Sequence, residues 1–517
     1  MPTYLSPGVY VEEVDSGSRP IEGVGTAVAG FVGLAEAGPF NQPTLVTNWS
    51  QYVSSFGSFL EGSYLAHAVF AFFQNGGGAC YIVRIGGDGA APVAFAEPPA
   101  LGDGGGSSFR ISAAAPGPDG NDLTVEISDG SAASPTAEGE SASPSDQPFK
   151  LVVKRRGDIV EQFDNLTSRR GRQNVRTLVN QQSQLIRIEE SAGAIEAPAR
   201  GEVAFAGGAG PAPVRVTPDD YIGNVGDRTG FAGLEAVDAV TMLAVPDLMA
   251  AYQAGVVDLE GVQAVQLAMI AHCELMGDRV AILDPPPGLN AQQIQEWRVD
   301  KAGYDSKYAA LYWPWLKVFD PIAAESVYVP PSGHMAGIWG RNDDTRGVHK
   351  APANEVVRGA VGLELQITKN EHDQLNPVGI NCIRSFPGRG VRVWGARTLS
   401  SDPAWRYLNV RRLFNYLEES ILNGTQWVVF EPNDPALWAK IRRTLSAFLA
   451  MEWRKGALFG LNPDEAFYVK CDDETNPAES IDAGQVICEI GVAPVKPAEF
   501  VVFRLSQFSG GTSIVSE

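Results

Sequence analysis

Short apolar runs and alternating segments outnumber long amphipathic helices through most of the chain. Residues 6–14 (SPGVYVEEV) alternate imperfectly, with Pro7-Gly8 as punctuation and Val9 and Val11 on one face around Tyr10, which predicts a short strand. A strand of that length is not stable alone and needs a partner. Residues 23–33 (GVGTAVAGFVG) have the small, apolar texture of a buried strand, followed by helical and strand signals at 64–73 and 80–85. After Asp220 the same texture returns, with apolar strands expected at 240–245 and 280–283, helical spacing over 259–276, and an aromatic strand or strand end at 310–315. Strands alternating with helices predict a largely parallel sheet covered on both faces. From about Ile383 two strong helices mix with strands expected at 427–430, 467–470, 486–492 and 500–505. The last of these holds Val501, Val502 and Phe503, so both ends of the sequence carry strand material in search of a partner.

Between 87 and 213 the texture changes. Gly/Ser/Pro/Ala-rich punctuation separates strand-like pieces at 109–113, 123–127, 149–154 and 159–163. Alternation within those pieces predicts a small β-rich domain inserted into the first core, rather than a long disordered linker.

Composition narrows the function classes. At 517 residues the chain has room for two to four domains of ~100–200 residues. A net charge of −21 argues against a nucleic-acid scaffold, which needs clustered Lys and Arg. The five cysteines, Cys80, Cys273, Cys382, Cys471 and Cys488, are scattered without CxxC, as expected of reduced thiols in a cytosol. No secretory leader pattern opens the sequence and no apolar run reaches the ~18–20 residues of a membrane helix. The expectation is a protein made and folded in a cytoplasm, with no direct membrane or nucleic-acid partner.

Catalytic chemistry is hard to find. His67, His272, His334, His349 and His372 form no HExxH, Cys273 beside His272 lacks a second ligand pair, and no P-loop occurs. The glycines after Gly23-Val24-Gly25 are too irregular for a dinucleotide fingerprint. Ser513 lies four residues from the end of the sequence, Ser332 follows Pro330-Pro331 in an expected loop, and GxSxG is absent. No catalytic, metal or cofactor residues are therefore expected. Rigid loops are dense instead, and Trp394, Arg397, Arg411 and Arg412 bring Trp and Arg close together as interfaces do. An ordinary core with paired arginines fits those residues equally well.

Residues 434–455 (DPALWAKIRRTLSAFLAMEWRK) predict one well-bounded helix. Asp434 suits its cap and Pro435 its first turn. Leu437, Ile441, Leu445, Phe448 and Leu449 form one apolar stripe, while Lys440, Arg443 and Arg454, separated by Ala447 and Ala450, line the other side. A basic face is unexpected on a chain this acidic; it suits either a solvated surface or contact with an acidic partner.

Many motifs occur in one order along the chain: SPGVYVEEV, VAILDPPPG, YAALYWPWLKV, VPPSGHMAGIWGRND, RGVHKAPANE, LNPVGINCIRSFPGRGVRVWGARTLS, WRYLNVRRLFNYLEESI, QWVVFEPND and IGVAPVKPAEFVVFRLSQ. Together they resemble contractile tail sheath proteins of phages and phage-tail-like injection systems. The resemblance implies an α/β fold with a central subtilisin-like domain, an inserted β-rich domain and a C-terminal α+β domain. It places an N-terminal arm at 1–20, the central domain at 21–86 and 214–382, the variable insertion at 87–213, an inner, tube-facing domain at 383–498 and a C-terminal arm at 499–517. It implies a non-enzymatic subunit that stacks as hexameric rings around a separate inner tube protein, meets baseplate and terminator or cap proteins at the two ends, and shortens to drive the tube into a target. Arm strands around Val9, Tyr10 and Val11, and around Val501, Val502 and Phe503, would complete sheets on neighbouring subunits. Lys440, Arg443 and Arg454 would face the tube. Assembly would take place in a bacterial cytoplasm, as part of a virion or virion-like particle. A hydrolase built on the central domain and a monomeric binding module are the alternatives from other classes.

Overall fold

The computed structural model describes residues 20–86, 93–100, 109–115, 118–131, 148–168, 171–189, 197–208, 216–321 and 323–504; Val9, Tyr10, Val11 and Ser513 lie outside them. The chain divides into two units, Met1–Ile85 with Val216–Glu517, and Gly86–Arg215.

In the first unit, β1 (Val28–Gly33), β2 (Thr44–Val46), β3 (Ala79–Arg84), β4 (Met242–Ala244), β5 (Val280–Leu283), β6 (Ala309–Trp313), β7 (Ile380–Phe386) and β8 (Gly390–Val393) form one eight-stranded sheet in the order β8–β7–β6–β5–β4–β1–β3–β2. The strands from β7 to β3 are parallel, and β2 and β8 pair antiparallel at the edges. Every residue of β5 (VAIL) and β6 (AALYW) is buried, the two-sided burial that a parallel sheet demands of its strands. Helices α1 (Leu65–Asn75), α2 (Leu259–Met276) and α3 (Ser332–Arg346) connect these strands. The glycines of SGHMAGIWG let α1 and α3 approach closely. A Cβ on Gly333 would lie 2.4 Å from the Ala68 Cα, and one on Gly337 would lie 2.4 Å from the Phe72 carbonyl oxygen.

Several expectations need correction. The segment 427–430 is not a strand: after helix α4 (Leu408–Gly424) the chain closes into a 3-10 turn, Gln426–Val428. Amide donors of Val428, Val429 and Glu431 are satisfied by carbonyls three residues back, and Phe430 turns out at φ 67°. Ser332 is not in a loop but is the first residue of α3, fully buried. The aromatic strand ends at Trp313; Leu316–Asp320 belongs to a separate three-stranded sheet with Glu325–Val329 and Ala360–Leu363. A boundary between 382 and 383 would cut β7, whose pairing with β6 and β8 carries the main sheet through Val393.

The strands of the second unit pair antiparallel. Gly201–Ala204, Leu123–Asp129, Phe149–Arg155 and Asp158–Leu166 form one sheet in that order; Phe95–Ala96, Arg110–Ala113 and Ile186–Glu189 form another. Val125, Ile127, Leu151 and Val153 point inward, and Phe109, Ile111 and Ile188 meet them in one core.

Helix α4 and helix α5 (Pro435–Arg454) pack through Leu413, Leu417, Ile441, Leu445, Phe448 and Leu449. A buried ion pair ties α4 to α3. Arg412 donates to both Asp343 carboxylate oxygens at 2.9 and 2.6 Å, and the two side chains are only 3% and 4% exposed. The Thr26 hydroxyl also donates to Asp343 at 2.7 Å, and the Trp339 ring lies 4.8 Å from the guanidinium. Arg411 is likewise buried, hydrogen-bonded to Asn415 and Glu418 and set 4.5 Å over the Trp405 ring. Both arginines are therefore core residues, chosen over Lys because a planar, always-charged fork can be satisfied inside. Replacing Arg412 by Ala strands the Asp343 carboxylate. It is expected to lower the unfolding free energy by about 3–5 kcal/mol, read by urea denaturation, while Arg443→Ala on the exposed face of α5 changes it by less than about 0.5 kcal/mol.

Candidate assembly surfaces

Strands β9 (Phe467–Lys470) and β10 (Glu489–Val492) pair antiparallel, Phe467 opposite Val492 and Lys470 opposite Glu489. No third strand joins them among the described residues. A two-stranded ribbon is marginal on its own, and each open edge presents backbone donors and acceptors to another chain. Here the inner face is held by the α4–α5 core, to which Phe467, Val469, Ile490 and Val492 contribute, while Tyr468 stays 59% exposed on the outer face.

Past β10 the chain runs to a charge clamp. Glu499 accepts from Arg397 Nε at 2.8 Å and Nη2 at 2.6 Å, from Asn376 Nδ2 at 2.7 Å and from the Tyr407 hydroxyl at 3.1 Å. Burial works to raise the Glu499 pKa, but the hydrogen bonds from Arg397 and Asn376 and the Arg397 charge outweigh it and hold the carboxyl below its usual range. A depressed carboxylate stabilises the fold at neutral pH, and that contribution fades as pH falls through the depressed value. Immediately beyond the clamp, Phe500, Val501, Val502 and Phe503 are 74, 69, 76 and 85% exposed and belong to no strand. Scattered apolar residues on a surface need no explanation, but a contiguous exposed run does. The root of this segment is thus fixed, and its apolar continuation joins no strand among the described residues. Sequence reading missed the clamp, because Arg397 and Glu499 are 102 residues apart and no local pattern pairs them.

Helix α5 is bounded as its sequence suggests. The Leu437 amide donates to Asp434 Oδ1 at 2.7 Å, Pro435 opens the first turn, and Leu437, Ile441, Leu445, Phe448 and Leu449 are buried. Its exposed face carries Ala436, Arg443, Ala447, Met451 and Arg454, with no acidic residue. Lys440 is partly buried, its ammonium 4.2 Å from the Trp427 ring centroid, so it serves the fold as well as the surface. Three apolar side chains stand out near the two ends of this helix: Phe430 is fully exposed, Phe459 72% and Leu461 92%. Nothing in their sequence context separates them from core residues.

The C-terminal ends of parallel strands are where open α/β sheets usually place catalytic groups and ligands. Two buried carboxylates occupy those positions among the described residues, while Glu36 beyond β1 is exposed. Asp247, just beyond β4, is wholly buried and accepts from the amides of Leu34 at 2.5 Å, Leu65 at 2.9 Å and Tyr64, and from the Ser63 hydroxyl at 2.9 Å, which fixes the start of α1. Asp284, just beyond β5, accepts from the Ser332 amide at 2.9 Å and hydroxyl at 2.5 Å, which fixes the start of α3. Burial raises them to about 6 and about 7 against these hydrogen bonds. Both are committed to helix starts and closed to solvent. Among the described residues no three His, Cys, Asp or Glu side chains are placed to hold a metal ion, and no helix is long and apolar enough to cross a membrane.

Comparison with known proteins gives one answer throughout. Residues 216–399 match the phage tail sheath protein central domain and residues 400–508 the phage tail sheath C-terminal domain. A tail sheath protein of Burkholderia phage BcepMu is 25% identical over 527 residues, spanning 96% of this chain and 95% of that protein. A tail sheath protein of Vibrio phage KVP40 is 26% identical over 44% of this chain, and a putative prophage major tail sheath protein of Pseudomonas aeruginosa 27% identical over 47%. Those matches span only 36% and 61% of these two relatives' lengths. In fold, the chain is similar to the sheath of the PVC extracellular contractile injection system in its contracted state (TM-score 0.59, 23% identity, 98% of this chain and 99% of that one). It is equally similar to the contracted helical sheath of the anti-feeding prophage (TM-score 0.59, 24% identity, 98% of this chain and all of that one).

Proposed function

This chain belongs to the contractile tail sheath family, and we propose that it is the structural subunit of a sheath that stacks as hexameric rings around an inner tube and shortens to drive that tube into a target. The carrying observation is the pairing, in one subunit, of an open two-stranded sheet with an exposed apolar segment rooted beside a buried clamp. Strand addition satisfies both needs at once: main-chain hydrogen bonds supply affinity, and the apolar side chains of Val501, Val502 and Phe503 gain burial on a neighbour. Val9, Tyr10 and Val11 are proposed to act in the same way from the other end. Arms paired in this manner stay attached while the domains they connect rotate, so the lattice can shorten without dissociating.

The central sheet is proposed to share the subtilisin-like arrangement without its chemistry. Asp247 and Asp284 are spent on fixing the starts of α1 and α3, so neither is free to serve a hydrolase as its acid. Work would come from relaxation of a metastable packing, with no bound nucleotide. The exposed basic face of α5, through Arg443 and Arg454 with Lys440 at its margin, is the proposed contact with the inner tube protein. Baseplate and terminator or cap proteins are the proposed partners at the two ends, and assembly is proposed to take place in a bacterial cytoplasm.

The test is electron microscopy of the purified protein in negative stain. Expressed without a tube, it is expected to form hollow cylinders of the contracted type, since nothing holds it extended. A monodisperse monomer at high concentration, with both termini intact, would sink the proposal.

A further inference from the structure

The register of the β9–β10 ribbon brings two of the scattered cysteines together. Phe467 lies opposite Val492 and Lys470 opposite Glu489, so continuing the ladder by one residue sets Cys471 opposite Cys488. Directly opposed residues share a face, and their Cα atoms lie ~4.5 or ~5.5 Å apart, both within the 4.4–6.8 Å span of a disulfide. The two thiols are near enough for each to shift the other's acidity. Asn476 holds the two segments in place: its side chain donates to the Ile487 carbonyl at 3.0 Å, accepts from the Ile487 amide at 2.7 Å and lies 3.8 Å from Cys471 Sγ. Arg442 donates to the Cys471 carbonyl, and its charge favours the thiolate form of both cysteines. Cys471 is fully buried, whereas Cys488 is only half-buried and open to an oxidant. The remaining cysteines, Cys80, Cys273 and Cys382, are all buried in the other part of the fold.

We propose that Cys471 and Cys488 form a cross-strand disulfide when the protein meets a small organic disulfide outside a reducing compartment, stapling the ribbon that receives neighbouring arms. The chemistry does not depend on the strand-exchange reading; the stapling role does. In the first step the Cys488 thiolate attacks one sulfur of the small disulfide and expels a thiolate. Cys471 then attacks the mixed disulfide, forming the protein S–S bond and expelling the second thiolate. The two protons released by the cysteines end on the two small thiols, so one disulfide is reduced as the other forms. Burial pushes the Cys488 thiol up to about 12, so the exchange is slow at neutral pH and quickens as pH rises.

The experiment incubates the full-length folded protein with oxidised glutathione at pH 7 and pH 9, blocks free thiols under denaturing conditions and maps the peptides by mass spectrometry. The expected result is a Cys471–Cys488 cross-linked peptide, formed at least tenfold faster at pH 9, with Cys80, Cys273 and Cys382 recovered as blocked thiols. C488S is expected to abolish the cross-link. A product that stops at a glutathione adduct on Cys488, or thiols that persist on both residues at pH 9, would overturn the pair itself. In a second arm, cylinders of oxidised protein are expected to resist dissociation by urea better than reduced or C488S cylinders. Equal resistance despite a complete cross-link would overturn the stapling role and leave the disulfide standing.

Discussion

Truncation after Glu499 is expected to yield a subunit that folds as stably as the full chain and builds no cylinders at all. The cut removes Val501, Val502 and Phe503 but keeps the carboxylate that Arg397, Asn376 and Tyr407 hold. Because Phe500, Val501, Val502 and Phe503 are largely exposed in the subunit, their loss costs the isolated fold little. What it removes is the strand proposed to pair with a neighbour, together with several kcal/mol of apolar burial at about 25 cal/mol per Å². A cut one residue earlier, after Ala498, separates the two roles. It also deletes Glu499 and leaves the largely buried Arg397 guanidinium without its acid, which is expected to destabilise the subunit by about 3–5 kcal/mol. Deleting residues 1–14 is expected to match the cut after Glu499, with stability kept and polymer growth abolished. Urea denaturation and negative-stain microscopy on the three proteins read stability and assembly independently. Full-length cylinders from the Glu499 or the 1–14 truncation would end the strand-exchange proposal.

The parts of this fold that could be read from the sequence are those in which one short segment carries the whole signal. Strand β5 is a bare VAIL run, and α2 carries helical spacing over 259–276, to which the structure adds Asp258 as its cap and Gly277 as its left-handed end. Helix α5 is legible for the same reason. Where two environments produce the same local pattern, reading fails. The run 427–430 is as apolar as β5, but Trp427 takes the Lys440 cation while Val429 and Phe430 face outward. Ser332 follows two prolines as loop residues do, yet Asp284, 48 residues earlier, makes it the start of a helix. Asp247 and Asp284 read as ordinary turn acids; only the assembled sheet shows them sealed against helix starts. Arg411 and Arg412 fitted core and interface equally until the partners Glu418 and Asp343 were in view. The edges of β9 and β10, open among the described residues, have no sequence signature, because lack of a neighbour is a property of the fold and not of the strand.

Reversing Lys440, Arg443 and Arg454 to Glu is expected to leave folding and sheath polymerisation intact while preventing extended sheath from forming on the tube, so that only empty contracted cylinders appear. Arg443 and Arg454 lie on the exposed face of α5 among Ala436, Ala447 and Met451, where small neighbours let another surface come close. Each exposed ion pair is worth only about 0–1 kcal/mol, but the proposed contact would be repeated in every subunit of every ring. Weak, repeated attraction suits the proposed sheath, which would grip the tube before firing and let go during it. Reversal turns each attraction into a repulsion of similar size, and the sum over a ring is large even though no single contact is. Lys440 also rests on the Trp427 ring, an interaction worth about 0.5–1 kcal/mol, so R443E/R454E is the cleaner variant and is expected to give the same particles with less cost to the fold. Phe448→Ala, on the buried stripe of the same helix, is the contrasting control. It is expected to lower subunit stability by about 3–5 kcal/mol without changing the charge seen by a tube. Co-expression with the cognate tube and baseplate, followed by microscopy, reads the result. Extended, tube-filled particles from R443E/R454E would exclude this face as the electrostatic attachment, and the two arginines would then be solvated residues of a sheath surface.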